Sequence, residues 1–216
     1  MSIRILPFRQ YSDTDVVNLY ALDSNSVLAS TTGVGSGDAG VFVSITDGNR
    51  NNDPVTYQTN TYLGNSSYPF LGNTTMYPEV NLKINASTSG HHPLGITLFQ
   101  TAETDENGEK LLYNPQKATE LQALLPGQAV PVATKGIFTL SNSGFEGDVS
   151  DYDIGSAVRM SNVTPGKITG SAATARGHGH SRYTSGHFGM VLGTGIRTNQ
   201  GPTSDQFAGQ YIVIKL

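Results

Sequence analysis

Gly35-Ser-Gly-Asp-Ala-Gly40, followed at once by Val41-Phe-Val-Ser-Ile45, is the stretch on which the fold class turns. Its glycines match G-x-G-x-x-G, a spacing that cradles a pyrophosphate when it follows a strand and opens a helix. The residues after Gly40 alternate instead: Val41, Val43 and Ile45 fall on one side, Phe42, Ser44 and Thr46 on the other. A period of two belongs to a strand. A strand in this place offers no helix N-terminus with free N–H groups, so the main anion-binding element of a nucleotide site is missing. The stretch reads as a flexible glycine loop feeding a β-sheet.

The same alternation recurs outward from it. Val80, Leu82 and Ile84 alternate with polar residues, Leu94, Ile96 and Leu98 share one side of a run, and Ile137-Phe-Thr-Leu140 makes another. Phe188, Met190 and Leu192, then Ile212, Ile214 and Leu216, complete the series. This is the pattern of sheets with one buried and one wet side. Asp47-Gly48, Glu106-Asn-Gly108, Asn142-Ser-Gly144 and Thr198-Asn-Gln-Gly201 punctuate the runs with turn formers. Many short strands between glycine-rich turns predict an all-β protein, a sandwich or barrel with long loops.

One short helix is expected over about 115–125. Asn114 suits the N-cap, Pro115 suits the first helical position, and Ala118, Leu121 and Leu125 share a face that Pro126-Gly127 terminates. Residues 47–78 are rich in Asn, Thr, Tyr and Gly and read as long loops or an extended contact segment. Residues 1–12 read either as an N-terminal arm or as a first strand of the core. A boundary near residue 88 is expected to separate a β-rich domain, 13–88, from a barrel-like domain, 89–216.

The chain has 216 residues and no cysteine, so it is long enough to bury a core without disulfides. Only 14% of residues are charged, against about 25% in ordinary soluble domains, and the balance is net −4. Low charge with 25 glycines suits strands, turns and extended contacts better than exposed helices. With no basic patch, nucleic acid is not an expected direct partner. No signal-peptide h-region follows Met1 and no apolar run approaches ~20 residues, so a cytoplasmically made protein without a membrane partner is expected.

Few motifs carry chemistry. Asp47-Gly-Asn-Arg-Asn51 echoes an EF-hand loop, but Asn52 stands where the turn needs glycine and Gln58 where the cation needs a bidentate acid. His178 and His180, with His187 downstream, are weak metal candidates: His-x-His on a strand would point both rings one way, yet the flanks are Gly, Ser, Arg and Thr. His91-His92 reads as a surface turn. Asp148, Asp151 and Asp153 crowd together, but sequence neighbours in a loop do not set the spacing across a cleft that paired carboxylates need. No nucleophile elbow or kinase signature is present. No cofactor and no catalytic residue is expected. Ile3, Ile5 and Phe8, together with Tyr57, Tyr62, Tyr68 and Tyr77, are the candidate subunit contacts, with strand packing as the alternative use of the tyrosines.

Three stretches carry a resemblance. They are Pro93-Leu-Gly-Ile-Thr-Leu98, Asp105-Glu-Asn-Gly-Glu-Lys-Leu-Leu-Tyr-Asn-Pro-Gln-Lys117, and Leu125-Pro-Gly-Gln-Ala-Val-Pro-Val-Ala-Thr-Lys-Gly-Ile-Phe-Thr-Leu140. This block resembles virion structural proteins of tailed phages, especially those of cyanobacteria and related marine hosts. Residues 166–216 are similar in layout to the small β-barrels of capsid decoration proteins. The resemblance covers about 90–216 and is one of pattern and composition. It implies a non-enzymatic decoration or cement protein on the capsid surface of a virion, with the phage major capsid protein as partner and a homo-oligomeric state. A head-fibre, tail or adaptor subunit, a host-glycan-binding β-module, and a metal enzyme built on the histidine loop are the alternatives.

Overall fold

The computed structural model of the chain describes residues 4–22, 37–47, 55–56, 79–80, 82–125, 127–170, 187–199, 205 and 207–216. In chain order its strands are β1 (Ile5–Gln10), β2 (Val16–Val17), β3 (Ala21–Leu22), β4 (Phe42–Asp47), β5 (Val55–Thr56), β6 (Glu79–Val80), β7 (Lys83–Ala86) and β8 (Gly95–Thr97). They continue with β9 (Gln100–Thr101), β10 (Ala123–Leu124), β11 (Val132–Ala133), β12 (Ile137–Ser141), β13 (Ala157–Met160), β14 (Ile168–Gly170), β15 (His187–Arg197) and β16 (Gly209–Lys215). The protein is all-β, as the alternation predicts. No helix among the described residues is long and apolar enough to cross a membrane.

Two six-stranded sheets dominate. The first runs β1-β12-β16-β15-β13-β14 and the second β2-β11-β8-β4-β7-β3. They face each other across one core. Phe138, Leu140, Val158, Met160, Ile168, Val191, Ile212 and Ile214 project from the first sheet, and Phe42, Ile96 and Ala133 from the second. The rings of Phe42 and Phe188 meet across the gap at 5.4 Å between centroids. The architecture is a β-sandwich.

The predicted division at residue 88 cuts across both layers. In the second sheet β4 pairs with β8, and β2 pairs with β11. In the first, β1 pairs with β12. Among the described residues, 89–216 therefore complete their sheets with strands from the N-terminal part. Of the two options for residues 1–12, the described part is a strand: Ile5 pairs with Leu140 and Gln10 with Ile137. Hydrogen bonding to β12 satisfies backbone groups that a free arm would leave to water.

β4 departs from the expected wet-and-dry alternation. Val41, Phe42 and Val43 are all fully buried, while Ile45 is half exposed. The second sheet is covered on both faces. Phe42 points into the shared core, and Val43 into a second cluster with Tyr20, Leu22, Leu82, Ile84, Val130 and Val132. Gly95 in β8 lies against the carbonyl of Ala133, where a side chain would collide with the neighbouring strand.

The helix is shorter than expected. It spans Pro115–Glu120, with the Asn114 side chain accepting from the Lys117 N–H and Pro115 in the first turn. Leu121 caps it, and Gln122 takes a left-handed φ of 48°. The chain then extends, so that Ala123 and Leu124 pair in parallel with Gln100 and Thr101. Gln100 Nε2 donates to the Leu121 carbonyl at 2.6 Å, which satisfies the helix end. Extending the chain at Ala123 buries Leu125 with Leu111, Leu112 and Ala123, a small core that a continued helix would break. Residues 102–125 form a knob around that core.

Candidate functional site

The histidine candidates yield little geometry. His178 and His180 lie outside the described residues, and His187 opens β15 with its backbone opposite Arg159. Among the described residues no group of three or more His, Cys, Asp or Glu side chains is placed to hold a metal ion. Of the candidate contacts, Ile3, Tyr57, Tyr62, Tyr68 and Tyr77 lie outside the described residues. Ile5 packs against the shared core, whereas Phe8 is 68% exposed. Of the EF-hand-like loop, residues 48–54 and Gln58 also lie outside the described residues.

The glycine loop is structural where it is described. Gly37 exchanges two backbone hydrogen bonds with Thr101, each 2.8 Å. The Thr97 hydroxyl donates to the Asp38 carbonyl and accepts from the Val41 N–H. Asp38 turns inward to Arg4. The guanidinium is 2% exposed, and its Nε lies 3.4 Å from the Asp38 carboxylate. Burial pulls the Arg4 pKa below its ordinary value, and the Asp38 charge pulls it back up. A long, buried contact of this kind ties β1 to the start of β4. The signal was present in the sequence: Arg4 stands between Ile3 and Ile5, a charge inside an apolar run.

Two of the three aspartates, Asp151 and Asp153, line a polar depression of about 500 Å³ together with Glu146 and Arg159. Asp151 accepts the Asp148 N–H at 3.0 Å, and Asp148 accepts from the Gln210 amide at 2.7 Å. These carboxylates hold the turn at Val149–Asp151, and Arg159 on the same wall supplies an opposing charge. Nearby, Tyr152 is buried, and its hydroxyl donates to the Glu146 carbonyl at 2.7 Å. Burial raises the phenol pKa well above its ordinary value.

The distinctive surface is the outer face of the first sheet. A groove of about 380 Å³ crosses it, lined by Leu6 and Phe8 of β1, Thr139 of β12, Ile196 and Arg197 of β15, and Tyr211 and Val213 of β16. Leu6 and Thr139 form its buried floor, and the exposed Phe8 and Ile196 its apolar rim. Gly195 sits opposite Tyr211 across the ladder, and a methyl group on Gly195 would strike the phenol oxygen, so the ring lies over the glycine. Arg197 Nε donates to Asp205 at 3.2 Å. The Phe207 N–H, then Arg197, hold the Asp205 carboxyl below its ordinary pKa.

The sheet edges are guarded. β1 carries Pro7, which has no N–H to offer, and spends four residue steps where β12 spends two. The other described edges are short: β14 has three residues, β2 and β3 two each. Among the described residues, fold and surface define a β-sandwich with short or proline-bearing edge strands and an exposed, apolar-centred groove on the outer face of the first sheet. Comparison with known proteins returns no matching family model, no matching curated protein and no matching solved structure.

Proposed function

We propose that this chain is a non-enzymatic virion structural protein of the decoration or cement type. In this reading it binds the outer surface of a phage capsid and bridges major capsid subunits. The observation that carries the contact-making part is the open groove of the first sheet. An exposed groove with an apolar rim is a feature of interaction surfaces rather than of ordinary solvated ones. The class of partner comes from the resemblance in residues 90–216. A protein that binds the assembled shell, and not its separated parts, stabilises the shell by mass action. Repetition over a lattice multiplies modest contacts.

The test is binding of purified protein to assembled capsids that lack it. The expected outcome is saturable binding with a rise in the melting temperature of the shell. Absence of binding to shells, with assembly onto tails or head fibres, would replace capsid decoration by an adaptor role. Saturable binding to host glycans without shell binding would make the protein a recognition module.

A further inference from the structure

The molecule is layered. The groove lies on the outer face of the first sheet, and the shared core follows it. Next come the second sheet and the cluster on its far side, against which Leu124 of the knob packs. Groove and knob thus lie on opposite layers, and neither can reach the other within one molecule.

Their charges are complementary. The six strands of the first sheet carry Arg9, Arg159, Arg197 and Lys215 and no Asp or Glu. The knob carries Glu103, Asp105, Glu106, Glu109 and Glu120 against Lys110 and Lys117, so five carboxylates less two ammonium groups give −3. Several of these charges are matched internally: Arg197 by Asp205, Arg159 by the carboxylates of the polar depression it lines, Glu106 by Lys117 at 2.8 Å, and Glu103 by Lys110 at 4.0 Å. Lys215 on the sheet, and Glu109 and Glu120 on the knob, are exposed. The shapes also match. The groove has an apolar rim of Phe8 and Ile196 over a floor of Leu6 and Thr139, and the knob presents one large ring, Tyr113, 72% exposed on the turn Leu111–Tyr113. A phenol suits this position, because it buries a wide apolar area and keeps a polar tip.

We propose that copies of this chain dock head to tail, with Tyr113 of one copy's acidic knob seated in the groove of the next copy's first sheet. The ring supplies most of the affinity, and the opposed charges set orientation and association rate. The contact is heterologous: every docking leaves one groove and one knob free, so it continues into a ring or a line. Strand addition at the described edges is disfavoured by Pro7 and by the short outer strands. The contact occupies the groove that carries the contact-making part of the proposed function, and it can be tested on the isolated protein without a shell.

Light scattering and sedimentation of the full chain over rising concentration test it. The expected result is growth beyond the monomer that recedes as ionic strength rises from about 0.15 M to about 1 M. Tyr113→Ala and Phe8→Glu should each weaken association by on the order of 30-fold, the scale of an interface anchor. Both side chains are exposed, so an unchanged Tm should confirm that each variant folds. Each variant keeps one surface intact. Mixed together, they should form a dimer and nothing larger. A wild-type chain that stays monomeric at every concentration overturns the proposal, as does a mixture no larger than its parts. A monomeric wild type whose Phe8→Glu variant loses shell binding would also overturn it and assign the groove to a shell subunit. Self-association without shell binding would count against the decoration role and leave this contact standing.

Discussion

The two sheets bury their faces differently. The second sheet is covered on both sides, so Phe42 and Val43, adjacent in β4 and pointing opposite ways, are equally inaccessible. Among the described residues the first sheet packs a core against one side only: Ile212 and Ile214 of β16 are buried, while Val213 between them lines the groove. The same residue types therefore do different work. In the second sheet a valine on either face is core. In the first, the outward valines, leucines and phenylalanines are the surface available for contact.

Substitution should reproduce this difference. Phe42→Ala should cost about 3–5 kcal/mol in denaturant unfolding, because it empties the shared core beneath both sheets. Val43→Ala on the opposite face should still cost about 2 kcal/mol, whereas Val213→Ala should cost under about 1 kcal/mol. Equal losses at Val43 and Val213 would mean that the outer face of the first sheet is also covered.

The Arg4–Asp38 contact links the two sheets. Asp38→Ala strands a buried guanidinium and should cost about 3 kcal/mol, while Arg4→Met combined with Asp38→Ala should recover most of it. A double variant no more stable than the single one would mean that the pair does not act as a unit.

A further modest effect belongs to Tyr152, at the corner of the first sheet. Tyr152→Phe removes the hydroxyl's hydrogen bond to the Glu146 carbonyl, a loss of about 1 kcal/mol near neutral pH. The alkaline limb is more diagnostic. The unfolded chain releases the phenol proton near the ordinary value of 10.0, while the buried ring in the folded state holds it to higher pH. Above pH 10.0 the folded state binds more protons, so stability should fall as pH rises, by up to ~1.4 kcal/mol per unit. In Tyr152→Phe that part of the slope should vanish.

Period-two alternation, read residue by residue, located β4, β12, β15 and β16 and the all-β class. It misassigned the faces of β15, where Val191 is buried and Met190 and Leu192 are exposed, because the strand's pairing with β13 and β16, not its own pattern, sets which side meets the core. Asn114 and Pro115 marked the helix start for an equally local reason, the geometry of the cap. The helix end was not legible. Ala118, Leu121 and Leu125 fit a helical stripe and also fit a turn with an extended tail, and the small core around Leu111 and Leu112 chose the second. The strand pairs that cross residue 88 were not legible for a related reason. A local change in composition carries no information about which distant strands will pair.

The groove was only partly visible. Phe8 stood out as an apolar residue near the N-terminus, but nothing in its neighbourhood pointed to Tyr211 or Ile196, which reach it only through the ladder β1-β12-β16-β15. By itself, the sequence determined the strand-rich class, the glycine loop that leads into β4 and the capped start of the helix, all set within a few residues of chain. Only the tertiary structure decided that both faces of β4 are buried, that Arg4 meets Asp38, and that the first sheet keeps an open apolar face. Burial depends on what covers a strand, and the covering segments come from distant parts of the chain.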